Sequence, residues 1–420
     1  MTVPAQWKQA VITPLPKINK PVSCSDFRPI SLTPILSRLL EKIVVRNFIY
    51  PALNDPAIHP LLTDQFAFRP TGSTDATLIS ILHHITDLLT TNPYVRVIAL
   101  DFSKAFDTVR HCTTLQKLST LPIPDNIYNW FVNHFQNHSH ITKFLGRLSQ
   151  PASINSSVFQ GSVIGPPLFI VNDIDLKPVH RGNVLDKYAD DTYLLIPACN
   201  DHTVSDELLS IELWAEANNL KLNKTKSKEM VIFASTRVRS KASCNPLPVV
   251  DIERVDCIKV LGVLIDESLT FKSHIASTCN AAAQSLYAIK LLKAHGMDPQ
   301  SIFCICSATV SRLTYAITAW WGFTSAADKQ KLQAVLNRAK RWTFYNTTSP
   351  SIADICEKQD NKLFNHVLTN PNHVLHHLLP PEKQQVYCLR PRAHNRKFPK
   401  KLNSLVCKNY FFRLLYDSVL

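Results

Sequence analysis

A chain of 420 residues, 45% of them apolar, holds enough hydrophobic material for two or three subdomains, and this composition excludes an intrinsically disordered protein. Lysine and arginine outnumber aspartate and glutamate by 46 to 32, a net charge of +14, so the expected partner is a polyanion: nucleic acid or an anionic membrane surface. Residues 1–30, with their prolines and lysines, read as an extended, loop-rich entry. From Ile30 to Tyr50 the apolar residues Leu32, Ile35, Leu36, Leu39, Leu40, Ile43 and Val44 recur at three- and four-residue steps, which predicts a helix. A second helix is expected over Thr74–Leu89, started by Gly72-Ser73-Thr74. Asn92-Pro93 breaks the chain, and the alternation of Val95, Val97 and Ala99 predicts a short, largely buried strand ending at Asp101.

Residues 113–145 read as mostly helical, with strand-like pieces near 141–159. VLDKYADDTYLLI, residues 184–196, reads as two short strands around an Asp-Asp turn. A helix is expected across 203–219, strands near 229–234 and 257–265, and several helices from Ile275 to about Arg341, broken at Gly296 and near Gly322. The remainder is rich in proline, histidine and basic residues. There is no internal repeat or low-complexity tract. The predicted class is α+β, with a sheet in the middle and helices towards the C-terminus.

The eleven cysteines are odd in number and show no CxxC or Cys/His spacing of a zinc finger, so neither a disulfide framework nor a structural zinc site is expected. MTVPAQWKQA lacks the charged start and apolar run of a secretion signal. No uninterrupted apolar run reaches the roughly 18 residues that span a bilayer. The expectation is a reduced, intracellular protein, with nucleic acid ahead of membrane as partner.

Chemistry is concentrated in three places. LDFSKAFDTV puts Asp101 at a strand end, a rigid platform suited to a metal ligand, though a turn residue would sit there equally well. YADD, Tyr188 to Asp191, places two adjacent aspartates in a turn, where such residues usually cap the backbone. Taken together, three carboxylates at one point repel each other unless cations neutralise them. Two Mg²⁺ ions about 3.5–4 Å apart would do so and would clamp an in-line phosphoryl transfer. Hard oxygen ligands suit Mg²⁺, with Mn²⁺ as a substitute. Only eight glycines occur, and two lie in FQGSVIGPPLF, at Gly161 and Gly165. Glycine lets a backbone approach a ligand closely, and Gln160 beside it can offer amide hydrogen bonds to a sugar or base; a strained turn entering a helix is the alternative.

The ordered set LDFSKAFD, FQGSVIGPPLF, YADD, LKLNKTKSKEMV and KVLGVLID resembles motifs A to E of reverse transcriptases. WKQAVITPLPK and DFRPISLTPILSRLLEKIV resemble the finger-region motifs of the non-LTR (LINE) branch. TYAITAWWGF and LRPRAHNRKFPKKLNSLVCKNYFFRLLY resemble the segments downstream of the polymerase in such elements, so the likeness covers nearly the whole chain. The resemblance implies a right-hand fold: fingers over 1–93, a palm with parts of the fingers over 94–270, a helical thumb-like region over 271–345 and a basic C-terminal extension over 346–420. It implies RNA-directed DNA synthesis, in which dNTPs are added to a primer 3′-hydroxyl on an RNA template.

On this resemblance Asp101, Asp190 and Asp191 bind the metals, assisted by the backbone carbonyl of Phe102. Phe106 matches the steric gate that excludes a ribose 2′-hydroxyl. Gln160 and Gly161 border the incoming nucleotide, and Lys17 and Arg28 grip its triphosphate. Lys226 donates a proton to pyrophosphate, and Leu261 and Gly262 belong to the primer-grip hairpin. The implied partners are an RNA template, a DNA primer or target, dNTPs and a ribonucleoprotein with the element's RNA, in the nucleus or cytoplasm.

The sequence departs from the family at Phe159, where proline is usual, and at Pro167, where leucine is usual and an N–H is lost. By the same resemblance the chain opens inside the fingers, without the upstream fingers segment and endonuclease of such elements, as a fragment or a decayed copy would. The rival is therefore a catalytically inactive nucleic-acid-binding remnant; a two-metal nuclease has only the aspartates in its favour. Three weaker features complete the sequence. His134 and His138 read as surface histidines. Trp320-Trp321 reads as buried core ahead of a stacking surface. The run from Lys383 to Arg413, with nine Lys/Arg and no acid, is either a solvated tail or a phosphate-binding surface.

Overall fold

A computed structural model of the chain describes residues 2–157, 161–240, 245–383 and 394–417. Its centre is strand β3 (Tyr94–Leu100), six of whose seven residues are buried, as a strand covered on both faces requires. It lies inside a five-stranded sheet with β7 (Val184–Tyr188), β8 (Asp191–Pro197), β9 (Lys228–Phe233) and β10 (Glu253–Arg254), in the order β10–β9–β3–β8–β7. β3 runs antiparallel to β8 and β9, with Leu100 opposite Thr192 and Ala99 opposite Lys228. Arg96, a charge inside this buried strand, donates to Asp201 Oδ1 at 2.7 and 3.0 Å and also pairs with Glu229.

Helix α2 (Thr74–Leu88) starts where Ser73 Oγ accepts the Ala76 N–H at 3.1 Å, and it covers one sheet face with Leu78, Ile81, Leu82 and Ile85. The opposite face buries Ile98, Leu100, Leu194 and Ile196 against Phe169 and helix α6 (Val204–Ala217).

The entry is not loop-rich. β1 (Gln9–Pro16) and β2 (Phe27–Leu32) form an antiparallel pair, and β1 runs parallel to β4 (Ser139–Phe144), which is flanked by β5 (Arg147–Leu148) and β6 (Ala152–Ser153). The prolines are tolerated because the β1–β4 pairing ends at Ile12, leaving Pro14 and Pro16 where β1 has only one neighbour. Helix α1 (Ile35–Val44) accordingly begins after β2, not at Ile30. Helices α3 (His111–Leu118), α4 (Asp125–Phe135) and α5 (Gly165–Asp173) share a second core with Val44, Ile49, Leu53, Phe131 and Leu168.

His134 and His138 are not surface residues. Each is 2% exposed, because Ile127, Trp130, Phe131 and His134 form the inner face of α4, while His138 lies beyond the helix end. Burial and the neighbouring imidazoles push them down to about 3 and about 4, so both are neutral.

After the hairpin of β11 (Cys257–Val260) and β12 (Val263–Asp266) come helices α7 (Lys272–Ala294), α8 (Pro299–Leu313), α9 (Ala326–Arg341) and α10 (Ile352–Thr369). Pro299–Phe323 would cross a bilayer by length and composition alone, but over half of it is buried, and Ala316 at φ +51° breaks it after α8. Trp320 is buried and donates to the Tyr315 carbonyl at 3.0 Å, a core role. The basic C-terminal run is not a free tail where it is described. Helix α11 (Tyr410–Asp417) sends Phe411, Leu414 and Leu415 into the main core, and Arg413 donates to Asp360 at 3.0 Å. Residues 384–393 of that run lie outside the described residues.

Candidate active site

Asp101 is the first residue beyond β3, and Asp191 is the first of β8. The register that sets Leu100 opposite Thr192 therefore brings these two aspartates to the same end of adjacent strands. The β7–β8 hairpin closes at Tyr188 opposite Asp191, leaving Ala189 and Asp190 as its turn, with Ala189 in the left-handed region at φ +57°. The Asp101 loop is held from the side by residues 221–227. Asp101 N–H donates to Ser227 Oγ at 3.2 Å, and its carbonyl accepts from Asn223 N at 2.8 Å. Phe102 bridges Leu222, and Ser103 N donates to Lys221 O at 2.9 Å.

Asp190 and Asp191 both sense Asp101. Burial and then Asp101 push Asp190 above the usual carboxylate range; burial, Asp190 and Asp101 push Asp191 up to about 6. A cation between them would relieve that repulsion. Among the described residues no three His, Cys, Asp or Glu side chains lie close enough to enclose an ion by themselves.

Lys104, left-handed at φ +52°, turns the chain into the short helix Ala105–Thr108 and carries Phe106 over the cleft. The Phe106 ring stacks on Phe169 at 4.4 Å and 23° and meets Phe68 edge-on at 6.2 Å, so its orientation is set from two sides. Gly161 has φ +124°, and a Cβ there would overlap the Ser31 carbonyl of β2, so only glycine lets this loop lie against the first sheet. The buried Glu41 of α1 accepts from Val163 N at 2.7 Å and Ile164 N at 3.4 Å, anchoring the entry to α5.

Lys17, Arg28, Asp101, Phe102, Phe106, Gly161, Asp190 and Lys226 all line one cleft of about 670 Å³. Lys17, Ser25 and Lys104 are also part of the wall of an adjoining hollow of about 870 Å³ under β1, β2 and β4. Lys17 Nζ also donates to Ser25 O at 2.9 Å. Gln160 lies outside the described residues. Leu261 and Gly262 are not in this cleft: they form the two-residue turn of the β11–β12 hairpin, with φ +47° and +92°, and Tyr315 Oη donates to Leu261 O at 3.0 Å. Glu41, Gln65, Asp173 and Lys187 support the site and are not among the residues singled out from the sequence, although Glu41 lies within the DFRPISLTPILSRLLEKIV stretch and Lys187, buried in β7 next to Asp186, directly precedes YADD.

Residues 16–265 match the family model described as reverse transcriptase (RNA-dependent DNA polymerase). The chain is 27% identical over 355 residues to the probable RNA-directed DNA polymerase from transposon BS of Drosophila melanogaster, covering 80% of this chain and 38% of that protein. It is 27% identical over 287 residues to the RNA-directed DNA polymerase from mobile element jockey of the same species, covering 65% and 30%. The Pol polyprotein of the type-1 retrotransposable element R2 of Popillia japonica is 25% identical over 338 residues, covering 75% and 45%. The chain thus spans between 30% and 45% of the length of these relatives. Among solved structures, telomerase from Candida albicans with a fragment of telomeric RNA aligns at a TM-score of 0.44 and 12% identity, covering 85% of this chain and 65% of that one. The family model spans more than half of the chain, and with that the chain belongs to the reverse transcriptase family.

Proposed function

We propose that this chain is the RNA-directed DNA polymerase of a non-LTR retrotransposon, adding dNTPs to a primer 3′-hydroxyl on an RNA template. The observation that carries the proposal is the one cleft lined together by the carboxylates Asp101 and Asp190, the cations Lys17, Arg28 and Lys226, and Phe106 and Gly161. Such a cleft suits a nucleoside triphosphate, whose phosphates meet the cations while its sugar meets the ring. In this reading 1–93 are fingers, 94–270 the palm, 271–345 a thumb-like region and 346–420 the basic extension.

Asp101, Asp190 and Asp191, with the Phe102 carbonyl, are the residues to hold two Mg²⁺ ions. Bound there, the ions would lower the pKa of the primer 3′-hydroxyl and stabilise the pyrophosphate leaving group. The chain's own groups do the rest. Phe106 blocks the space of a ribose 2′-hydroxyl. Gly161 and Gln160 border the nucleotide, Lys17 and Arg28 hold its phosphates, and Lys226 supplies a proton to pyrophosphate. The Leu261–Gly262 turn supports the primer end. Priming on chromosomal DNA would place the reaction in the nucleus.

The test is primer extension on an RNA template with dNTPs and Mg²⁺. Asp190→Asn is expected to abolish extension while leaving template binding largely intact. A folded chain that binds template and never extends a primer would instead be the non-catalytic remnant.

A further inference from the structure

Ala189, which aims the Asp190–Asp191 pair, keeps a left-handed backbone that a non-glycine residue holds only where its surroundings enforce it. The two-residue closure of the β7–β8 hairpin already asks for that conformation, and one side-chain amide holds both backbone polar groups of the residue. Ala189 N–H donates to Gln65 Oε1 at 3.1 Å, and Gln65 Nε2 donates to the Ala189 carbonyl at 3.4 Å. The same Nε2 donates to Asp173 Oδ2 at 2.9 Å, and the same Oε1 accepts Ala67 N–H at 3.0 Å. Gln65 is 1% exposed, so no water competes for these bonds.

The main chain around it is equally fixed. Phe66 N donates to Lys187 O at 2.9 Å and Lys187 N to Asp64 O at 2.7 Å, pairing the 64–66 segment with the edge of β7. The buried Lys187 Nζ donates to the carbonyls of Asp173 and Leu176, at 2.9 and 3.0 Å, and pairs with the Asp173 carboxylate at 3.2 Å. Asp173 ends α5, the helix just after Gly161. The turn bearing the aspartates and the helix behind the nucleotide loop therefore meet at one amide.

We propose that Gln65 is a positioning residue: its amide clamps Ala189 in the left-handed conformation and so sets the aim of Asp190 and Asp191, with Asp173 linking this clamp to α5. The proposal rests on the polymerase reading, but the clamp itself can be tested apart from activity. Two variants of the full chain serve. Gln65→Met removes both hydrogen-bonding functions at similar size. Gln65→Glu keeps the acceptor for the Ala189 and Ala67 amides, and its neutral form repeats the donor to Asp173.

In Gln65→Met, kcat for dNTP incorporation is expected to fall about 10²-fold, the scale of a roughly 1 Å misplacement. KM for dNTP and Kd for primer–template should stay within about threefold, because ground-state binding is untouched. Hydrogen exchange of the 186–192 peptide should speed up about tenfold or more, while β3 and α2 keep their protection. Gln65→Glu should retain more kcat than Gln65→Met.

A Gln65→Met chain with wild-type kcat and wild-type exchange at the turn overturns the proposal. So does a loss of protection spread over the whole sheet in both variants, which would make Gln65 mere scaffold. If the wild-type chain extends no primer, the polymerase reading fails, and the exchange data alone judge the clamp.

Discussion

Replacing Phe106 by valine removes a ring held 4.4 Å from Phe169 and 6.2 Å from Phe68. The ring is only partly buried, so the lost burial is about half of the roughly 1.5–3 kcal/mol that a fully buried large side chain contributes. The ring pair adds about 0.5–1.5 kcal/mol. The total, about 1–3 kcal/mol, is a fraction of the roughly 5–15 kcal/mol of a native domain, so Phe106→Val is expected to fold. Sugar selection is expected to change far more than stability. A steric mismatch of one heavy atom in a shaped pocket is typically worth about 1–3 kcal/mol, or about 10–200-fold. The ratio of kcat/KM for a dNTP over the matching rNTP should fall by that factor, while deoxynucleotide incorporation itself changes less than about tenfold. Single-nucleotide primer extension with each substrate reads both numbers. A folded variant that incorporates dNTPs normally with discrimination unchanged refutes the role given to the ring.

Gly161→Ala forces an L-residue to φ +124° and a methyl group into the Ser31 carbonyl, a strain of roughly 1–3 kcal/mol that the loop relieves by leaving the first sheet. Its kcat is expected to drop about 10²-fold, and a wild-type rate would contradict the close approach. Burial acts to discharge Lys187, but Asp173 and Asp64 outweigh it and hold the ammonium charged, so Lys187→Met strips the buried Asp173 carboxylate of its cation, while Asp64 keeps Lys177 at 2.6 Å. Urea unfolding should show a loss of about 3–5 kcal/mol; a loss under about 1 kcal/mol would mean the pair is not coupled. Burial raises Glu41 above its ordinary 4.5, against the hydrogen bonds from Val163 and Ser37. Folding therefore takes up a proton there, and its contribution is most favourable below 4.5 and is lost as pH rises through the raised folded value. Glu41→Gln should flatten the stability–pH curve just above 4.5, as read from urea midpoints; an unchanged slope would refute this.

What the sequence determined by itself is whatever short-range pattern encodes. The buried strand before Asp101, the existence of a hairpin at YADD (read with its turn at the Asp-Asp pair, found one residue earlier at Ala189-Asp190), and the start of α2 at Ser73 arise from period-2 alternation, turn chemistry and capping, each contained in about ten residues. The order of the motifs carried the family. What only the tertiary structure decided depends on partners far along the chain. The burial of His134 needs the neighbours of α4, and the strand at Ile30–Leu32 needs β1 beside it. The folding of the basic C-terminal run around α11 needs Asp360 and the α2 surface. Glu41 reaches Val163, 122 residues on, and Gln65 reaches Ala189, 124 residues on. A buried polar group is tolerable only when its hydrogen bonds are met, and no local periodicity records where a bond that distant is made. The support beneath Asp190 was therefore invisible until the strands were assembled, whereas Asp190 itself was readable from its place in the turn.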